Sequence, residues 1–292
     1  MKRRFSDRFN DGREAFLRAR RRSVPFRILI PNIVTLLGLC IGLTSIRMAF
    51  EGRFEYALIA IGAAAVLDGL DGRMARLLKA SSRFGAELDS LSDFVCFGVA
   101  PAVVLYLWGF TEAASLGWII VLVFAVSAAL RLARFNVALD EPNKPSWEQA
   151  FFVGVPAPAG AVLLLLPLYL EGLGIPKDWL ILPLLSVYAV AIAALMASRL
   201  RTFSGKLAGQ RIAPDYIAPV AALGVVIVAT LVTYPYLGVT LSCIAYLSLI
   251  PISVKRYGEA KNRYMTIEPP KPQRGASQSP HVPAGQETDD SR

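Results

Sequence analysis

Eight stretches of the chain are apolar over lengths close to the thickness of a lipid bilayer, and this limits the fold more than any other feature. They run near residues 28–50, 54–78, 88–109, 115–137, 151–170, 179–198, 215–233 and 235–253. At ~1.5 Å per helical residue, each can cross ~30 Å of hydrocarbon. Composition agrees: 54% of the 292 residues are hydrophobic and only 18% are charged, against roughly 25% charged in soluble domains. An ordinary cytosolic globular domain is excluded. The expected fold is all-α, a polytopic membrane helix bundle of about eight transmembrane helices. Two segments stand apart. The second is strongly apolar only as far as Leu67, and the last two are joined by Tyr234-Pro235-Tyr236 alone, which demands a tight turn. A count of six or seven spans would merge or demote one of the later segments.

The formal charge of +9 is explained by its distribution. Of the 31 Lys and Arg residues, all but Arg47, Arg53 and Lys177 fall on one side of an eight-span chain. The positive-inside rule then puts both termini in the cytoplasm. Residues 1–27 read as a basic cytoplasmic N-terminal arm lying against anionic membrane lipids, so the basic charge calls for no nucleic-acid partner. No cleavable signal peptide is expected, because the first apolar block is too long and lacks a small-residue cleavage site. Residues 257–292 read as a disordered cytoplasmic tail, rich in Pro, Ser, Gln and Gly from about Met265 onward.

Histidine and cysteine chemistry is scarce. The single histidine, His281, stands in that tail, and Cys40, Cys96 and Cys243 are far apart inside apolar blocks. They fit neither a zinc pattern nor a disulfide framework. Chemistry must therefore rest on carboxylates, cations and metal ions.

Carboxylates occur where a membrane protein rarely has them. Asp68, Asp71, Asp89 and Asp93 stand at the cytoplasmic ends of two consecutive spans. On a helix, residues three or four apart share a face, so Asp68 pairs with Asp71 and Asp89 with Asp93. If residues 77–87 turn the chain back, the two faces meet. Ionisable groups at membrane depth point to function, and a cluster of like charges calls for cations between them. Oxygen donors without His or Cys suit Mg²⁺, Mn²⁺ or Ca²⁺. Two such ions would clamp phosphate oxygens and activate a hydroxyl. Gly72 and Gly85 leave room for a ligand, and Arg76 lies one turn beyond Gly72, placed to hold a phosphate. A cation transporter is the alternative from another class, but it would place its acids near the bilayer midplane, often within internal repeats.

The run Asp68-x₂-Asp71-Gly72-x₂-Ala75-Arg76-x₈-Gly85-x₃-Asp89-x₃-Asp93 resembles the signature of the CDP-alcohol phosphotransferases, with all eight fixed positions filled. The resemblance implies a six-helix catalytic core, here residues 28–206, often in a homodimer, with residues 207–256 as two additional transmembrane helices. It implies transfer of a phosphatidyl group from a CDP-linked lipid to an alcohol. Asp68, Asp71, Asp89 and Asp93 would be ligands of divalent metal, Mg²⁺ or Mn²⁺ and two ions in number, with Asp93 also the general base. Gly72, Arg76, Ser82 and Gly85 would face the CDP-lipid, together with Asn32 and Thr35 of the Pro31-Asn32-x-x-Thr35 run.

Wider stretches resemble the serine-using branch of that family. Asp89-Ser-Leu-Ser-Asp93 continues into Phe97-Gly98-Val99-Ala100-Pro101, Arg131-Leu-Ala-Arg134-Phe135-Asn136 closes the fourth span, and Leu195-Met-Ala-Ser198-Arg199 ends the sixth. This implies CDP-diacylglycerol and L-serine as substrates, in an integral multi-pass protein of a bacterial-type cell membrane with a cytoplasmic active site. Glycerol 3-phosphate, inositol phosphate and choline remain alternative acceptors. A serine site needs a cation for the carboxylate and a base within reach of the hydroxyl. Arg131, Arg134, Arg199 and Lys206 are candidates to bind the acceptor or a phosphate, and Asn136 to orient the acceptor.

Overall fold

The computed structural model describes residues 26–80, 82–139, 151–177, 182–203 and 214–267. The basic arm through residue 25, Lys206 and the tail from residue 268 lie outside the described residues. Among the described residues the protein is helical, apart from one ribbon of two short strands. In chain order the helices are α1 (Phe26–Phe50), α2 (Phe54–Leu77), α3 (Arg83–Asp93), α4 (Ala100–Gly109) and α5 (Ala114–Leu139). After strand β1 (Phe151–Val153) come α6 (Ala157–Leu164), α7 (Leu166–Gly172) and α8 (Leu182–Ala197). Strand β2 (Arg201–Phe203), α9 (Pro214–Thr233) and α10 (Pro235–Ile267) complete the chain. Among the described residues, four helical stretches are long and apolar enough to cross a membrane: Leu29–Phe50, Arg83–Gly109, Thr111–Ala138 and Pro235–Glu259.

Helices α1 and α2 form a tight hairpin. Gly52 takes φ +73, and the Gly52 and Arg53 amides donate to the Ala49 and Met48 carbonyls at 3.0 and 2.9 Å. This double closure satisfies carbonyls that the end of α1 would otherwise leave open, and glycine takes the left-handed position at little steric cost. The end of α2 is closed the same way, by Lys79 to Arg76 and Ala80 to Ala75. There the left-handed position is held by Lys79 at φ 49, at a strain of roughly 1 kcal/mol.

A π-helical turn, Phe94–Val99, joins α3 to α4. It packs closely on α1, where a Cβ at Gly42 would stand 2.4 Å from the Cys96 sulfur. Without a hydrophobic drive between helices in lipid, small residues of this kind let backbones approach and gain van der Waals contact. The core behind the site is built from Phe97, Leu105, Phe110, Phe124, Leu163, Leu164, Ile192 and Met196, all almost fully buried. At the opposite end of the bundle the Trp108 indole donates to Glu171 at 2.6 Å, and Lys177 donates to the Trp108 carbonyl at 2.6 Å.

Three features depart from the sequence reading. The apolar stretch at 151–170 is not one helix: it opens as β1, and α6 and α7 meet at Leu165. Pro167 has no amide hydrogen to continue α6, so it opens a new helix instead. Strand β1 pairs antiparallel with β2, Phe152 facing Thr202, where no strand was expected. Finally, α10 runs to Ile267, into the stretch read as tail. Lys255, Arg256, Glu259, Ala260 and Lys261 are good helix formers, and they carry the helix beyond its apolar part.

Candidate active site

The local sequence explains how the four aspartates converge. Asp68 and Asp71 occupy the last turns of α2, just before the Lys79 closure stops that helix. Ser82 then caps α3, its hydroxyl oxygen accepting from the Gly85 amide at 3.0 Å. The short connector reverses the chain and sets Asp89 and Asp93 beside the end of α2. Carboxylate oxygens of Asp68, Asp71 and Asp89 lie within 4.8 Å of one another. Asp93, one turn beyond Asp89, lines the same small cavity as these three.

Helix α1 supplies the third wall. Thr35 is buried, and its hydroxyl donates to Asp71 Oδ2 at 2.6 Å, with the Pro31 carbonyl also in range at 3.1 Å. A hydroxyl has one proton, and the shorter contact to a carboxylate is the stronger claim on it. The four aspartates line a cavity of about 10 Å³ together with Thr35 and Ser92, the room of roughly one water-sized sphere.

Next to it, and sharing Thr35, Asp71 and Asp89, opens a cleft of about 380 Å³, within the usual range for small-ligand sites. All six residues expected to face a CDP-lipid line this one cleft: Asn32, Thr35, Gly72, Arg76, Ser82 and Gly85. The two glycines have different reasons. A Cβ on Gly85 would stand 2.9 Å from Asn32 Oδ1 and 3.1 Å from Ser82 Oγ, so Gly85 permits the packing of α1 against α3. A Cβ on Gly72 would meet nothing within 4 Å. No packing contact requires that glycine, and a side chain there would only narrow the cleft.

The donor set fits a divalent cation. Three carboxylates converge, no histidine or thiolate is among them, and among the described residues no Lys or Arg pairs with any of the four aspartates. Hard oxygen donors in this number suit Mg²⁺, Mn²⁺ or Ca²⁺.

Residues 28–197 match the sequence profile of the CDP-alcohol phosphatidyltransferase family. The chain belongs to that family. It is similar to two mycobacterial proteins named CDP-diacylglycerol–serine O-phosphatidyltransferase. The Mycobacterium bovis protein is 41% identical over 235 residues, covering 80% of this chain and 81% of the relative. The Mycobacterium leprae protein is 44% identical over 237 residues, covering 80% and 77%. A Helicobacter pylori protein of the same name is 39% identical over 143 residues, covering 49% and 58%.

In this phosphatidyltransferase the acceptor candidates are not gathered like the cleft residues. Arg131 of α5 is 9% exposed, lies in the electrostatic field of Asp68 and Asp93, and stacks its guanidinium 5.5 Å from the Phe135 ring centroid. Its Nε is buried with no hydrogen-bond partner among the described residues. Arg134 instead donates to the Ala197 carbonyl at 2.6 Å, tying α5 to the end of α8. Asn136 donates to Ser90 Oγ at 2.9 Å, and Arg199 is exposed beyond α8. None of these four, Arg131 included, lines either cavity.

Two residues escaped the sequence reading. Ser92 donates to the Thr35 carbonyl at 3.4 Å, and Cys96 to the Gly38 carbonyl at 3.5 Å, which fixes α3 and the π turn on α1. Their spacing of three and four from Asp89 and Ser92 puts them on the aspartate face, the one signal that would have found them.

Proposed function

We propose that this enzyme transfers the phosphatidyl group of CDP-diacylglycerol to the hydroxyl of L-serine, giving phosphatidylserine and CMP. The observation that carries the reaction is the aspartate cluster opening directly onto a cleft lined by Asn32, Gly72 and Arg76. The choice of serine is supported by the names of the mycobacterial relatives, similar over four-fifths of the chain.

Asp68, Asp71, Asp89 and Asp93 would hold divalent metal, Mg²⁺ or Mn²⁺ and two ions by this reading, which neutralises charge on the diphosphate. Arg76 faces the same cleft and holds a phosphate oxygen. Asn32, Thr35, Ser82 and the open surface at Gly72 and Gly85 receive the cytidine diphosphate. Asp93 takes the proton of the serine hydroxyl. The serine oxygen bonds to the lipid-side phosphorus, the bond from that phosphorus to the CMP oxygen breaks, and CMP leaves with the electron pair. The approach is in line, with no covalent enzyme intermediate. Arg131 supplies the cation for the serine carboxylate. Arg134 and Asn136, through Ala197 and Ser90, hold the helix ends around that pocket, while Arg199 and Lys206 meet anionic headgroups or the lipid phosphate.

The sidedness of Lys and Arg supports eight spans, both termini in the cytoplasm and a cytoplasmic active site in a bacterial-type cell membrane. A homodimer is part of this reading, as is an N-terminal arm lying on anionic lipid. The acceptor is tested by supplying purified protein with CDP-diacylglycerol and Mg²⁺ or Mn²⁺. CMP release with serine, and not with glycerol 3-phosphate, inositol phosphate or choline, is expected. Release with one of those and not serine would overturn the assignment.

A further inference from the structure

Besides its carboxylates, the small cavity is lined by two hydroxyls, Thr35 of α1 and Ser92 of α3, each 7% exposed. Helix α1 packs on both α2 and α3, and one stripe of it seats α3 and the π turn. Positions 35, 38 and 42 share that face. The Ser92 hydroxyl donates to the Thr35 carbonyl at 3.4 Å, and the Cys96 thiol donates to the Gly38 carbonyl at 3.5 Å. Gly42 leaves room for the same sulfur. The Ser92 bond is long, but the stripe around it holds the two backbones at this distance.

Thr35 passes this tie on to a third helix. Its hydroxyl has two acceptors in reach, Asp71 Oδ2 of α2 at 2.6 Å and the Pro31 carbonyl of its own helix at 3.1 Å. Threonine on a helix readily bonds the carbonyl four residues back. The bond to Asp71 therefore depends on where the backbone of α1 stands, and Ser92 grips the carbonyl of that same residue. We propose that Ser92 is a positioning residue for the metal site: through the Thr35 carbonyl it holds the α1 turn at the place from which the Thr35 hydroxyl reaches Asp71. The relay Ser92–Thr35–Asp71 crosses α3, α1 and α2, and couples the helix of Asp89 and Asp93 to the carboxylate facing it. Without Ser92 the Thr35 hydroxyl falls back on Pro31, and Asp71 loses the donor that orients it. The proposal rests on the aspartate cluster holding a divalent ion.

The test is Mn²⁺ binding to the purified protein without either substrate, read from the electron paramagnetic resonance of free Mn²⁺, in Ser92→Ala, Thr35→Val and the double variant. Groups that orient a metal ligand contribute about 10–100-fold in affinity. Ser92→Ala should weaken Mn²⁺ binding about tenfold, with little change in the melting temperature of the metal-free protein. Thr35→Val should weaken it by as much or more. The double variant should bind like Thr35→Val alone, because Ser92 has nothing left to position once the Thr35 hydroxyl is gone. These midpoints do not depend on how much of each variant folds. An unshifted midpoint in either single variant overturns the relay. So does a double variant whose loss is the product of the two single losses, since Ser92 would then act apart from Thr35. A wild-type protein that binds no Mn²⁺ overturns the metal assignment, and the relay with it.

Discussion

Thr35 and Asp71, 36 residues apart, are joined by a 2.6 Å hydrogen bond from the Thr35 hydroxyl to Asp71 Oδ2. The bond links α1 to the carboxylate shared by the small cavity and the larger cleft. It orients one lone pair of Asp71 toward Thr35 and leaves the other oxygen for the cluster.

Thr35→Val removes that donor with little change in volume. Groups that orient metal ligands typically contribute about 10–100-fold in metal affinity. The Mg²⁺ or Mn²⁺ concentration giving half-maximal activity should rise by about tenfold or more, and Thr35→Ser should restore it. A metal titration of the three proteins decides this. An unshifted midpoint in the valine variant would show that Asp71 is positioned by other means.

Asp93→Asn tests the proton acceptor. The amide cannot take the serine proton, and loss of a general base costs about 10²–10⁴ in rate. Binding of CDP-diacylglycerol, followed as stabilisation of the purified protein against heat, should be largely retained. Normal turnover in this variant would remove Asp93 from that role.

The two cleft glycines should respond in opposite ways. Gly85→Ala forces a methyl group to 2.9 Å from Asn32 Oδ1, and overpacking of this kind costs about 1–3 kcal/mol. Its melting temperature should fall. Gly72→Ala meets nothing within 4 Å and gains helix propensity of up to about 1 kcal/mol. Its melting temperature should hold or rise while the KM for CDP-diacylglycerol increases several-fold.

Lys79→Gly relieves the left-handed strain at φ 49. A stability gain of roughly 1 kcal/mol with turnover unchanged is expected. Thermal unfolding of the two proteins in the same detergent measures it.

The aspartate site was legible in the sequence because its information is local. Spacings of three and four put Asp68 with Asp71 and Asp89 with Asp93 on helix faces whatever the rest of the chain does. Asn32, Thr35, Gly72, Arg76, Ser82 and Gly85 were legible through a family pattern, and the structure gathers them in one cleft. What escaped was non-local. The pairing of Phe152 with Thr202 depends on residues far apart in the chain, and Phe151-Phe-Val reads equally well as the start of an apolar span. Arg134 looked like an anion-binding cation at a helix end, yet its partner is a backbone carbonyl of another helix, which no spacing reveals. The break between α6 and α7 did have a local signal in Pro167, hidden by the apolar residues around it.

Direct transfer from CDP-diacylglycerol to serine is tested most sharply by mixing stoichiometric amounts of enzyme and CDP-diacylglycerol with Mg²⁺ or Mn²⁺ and following CMP before and after serine is added. Without serine, no CMP beyond background is expected; with it, CMP and phosphatidylserine should appear in equal amounts. A burst of CMP before serine, with a phosphatidyl group left on the protein, would contradict direct displacement, and no CMP after serine would contradict the assigned reaction.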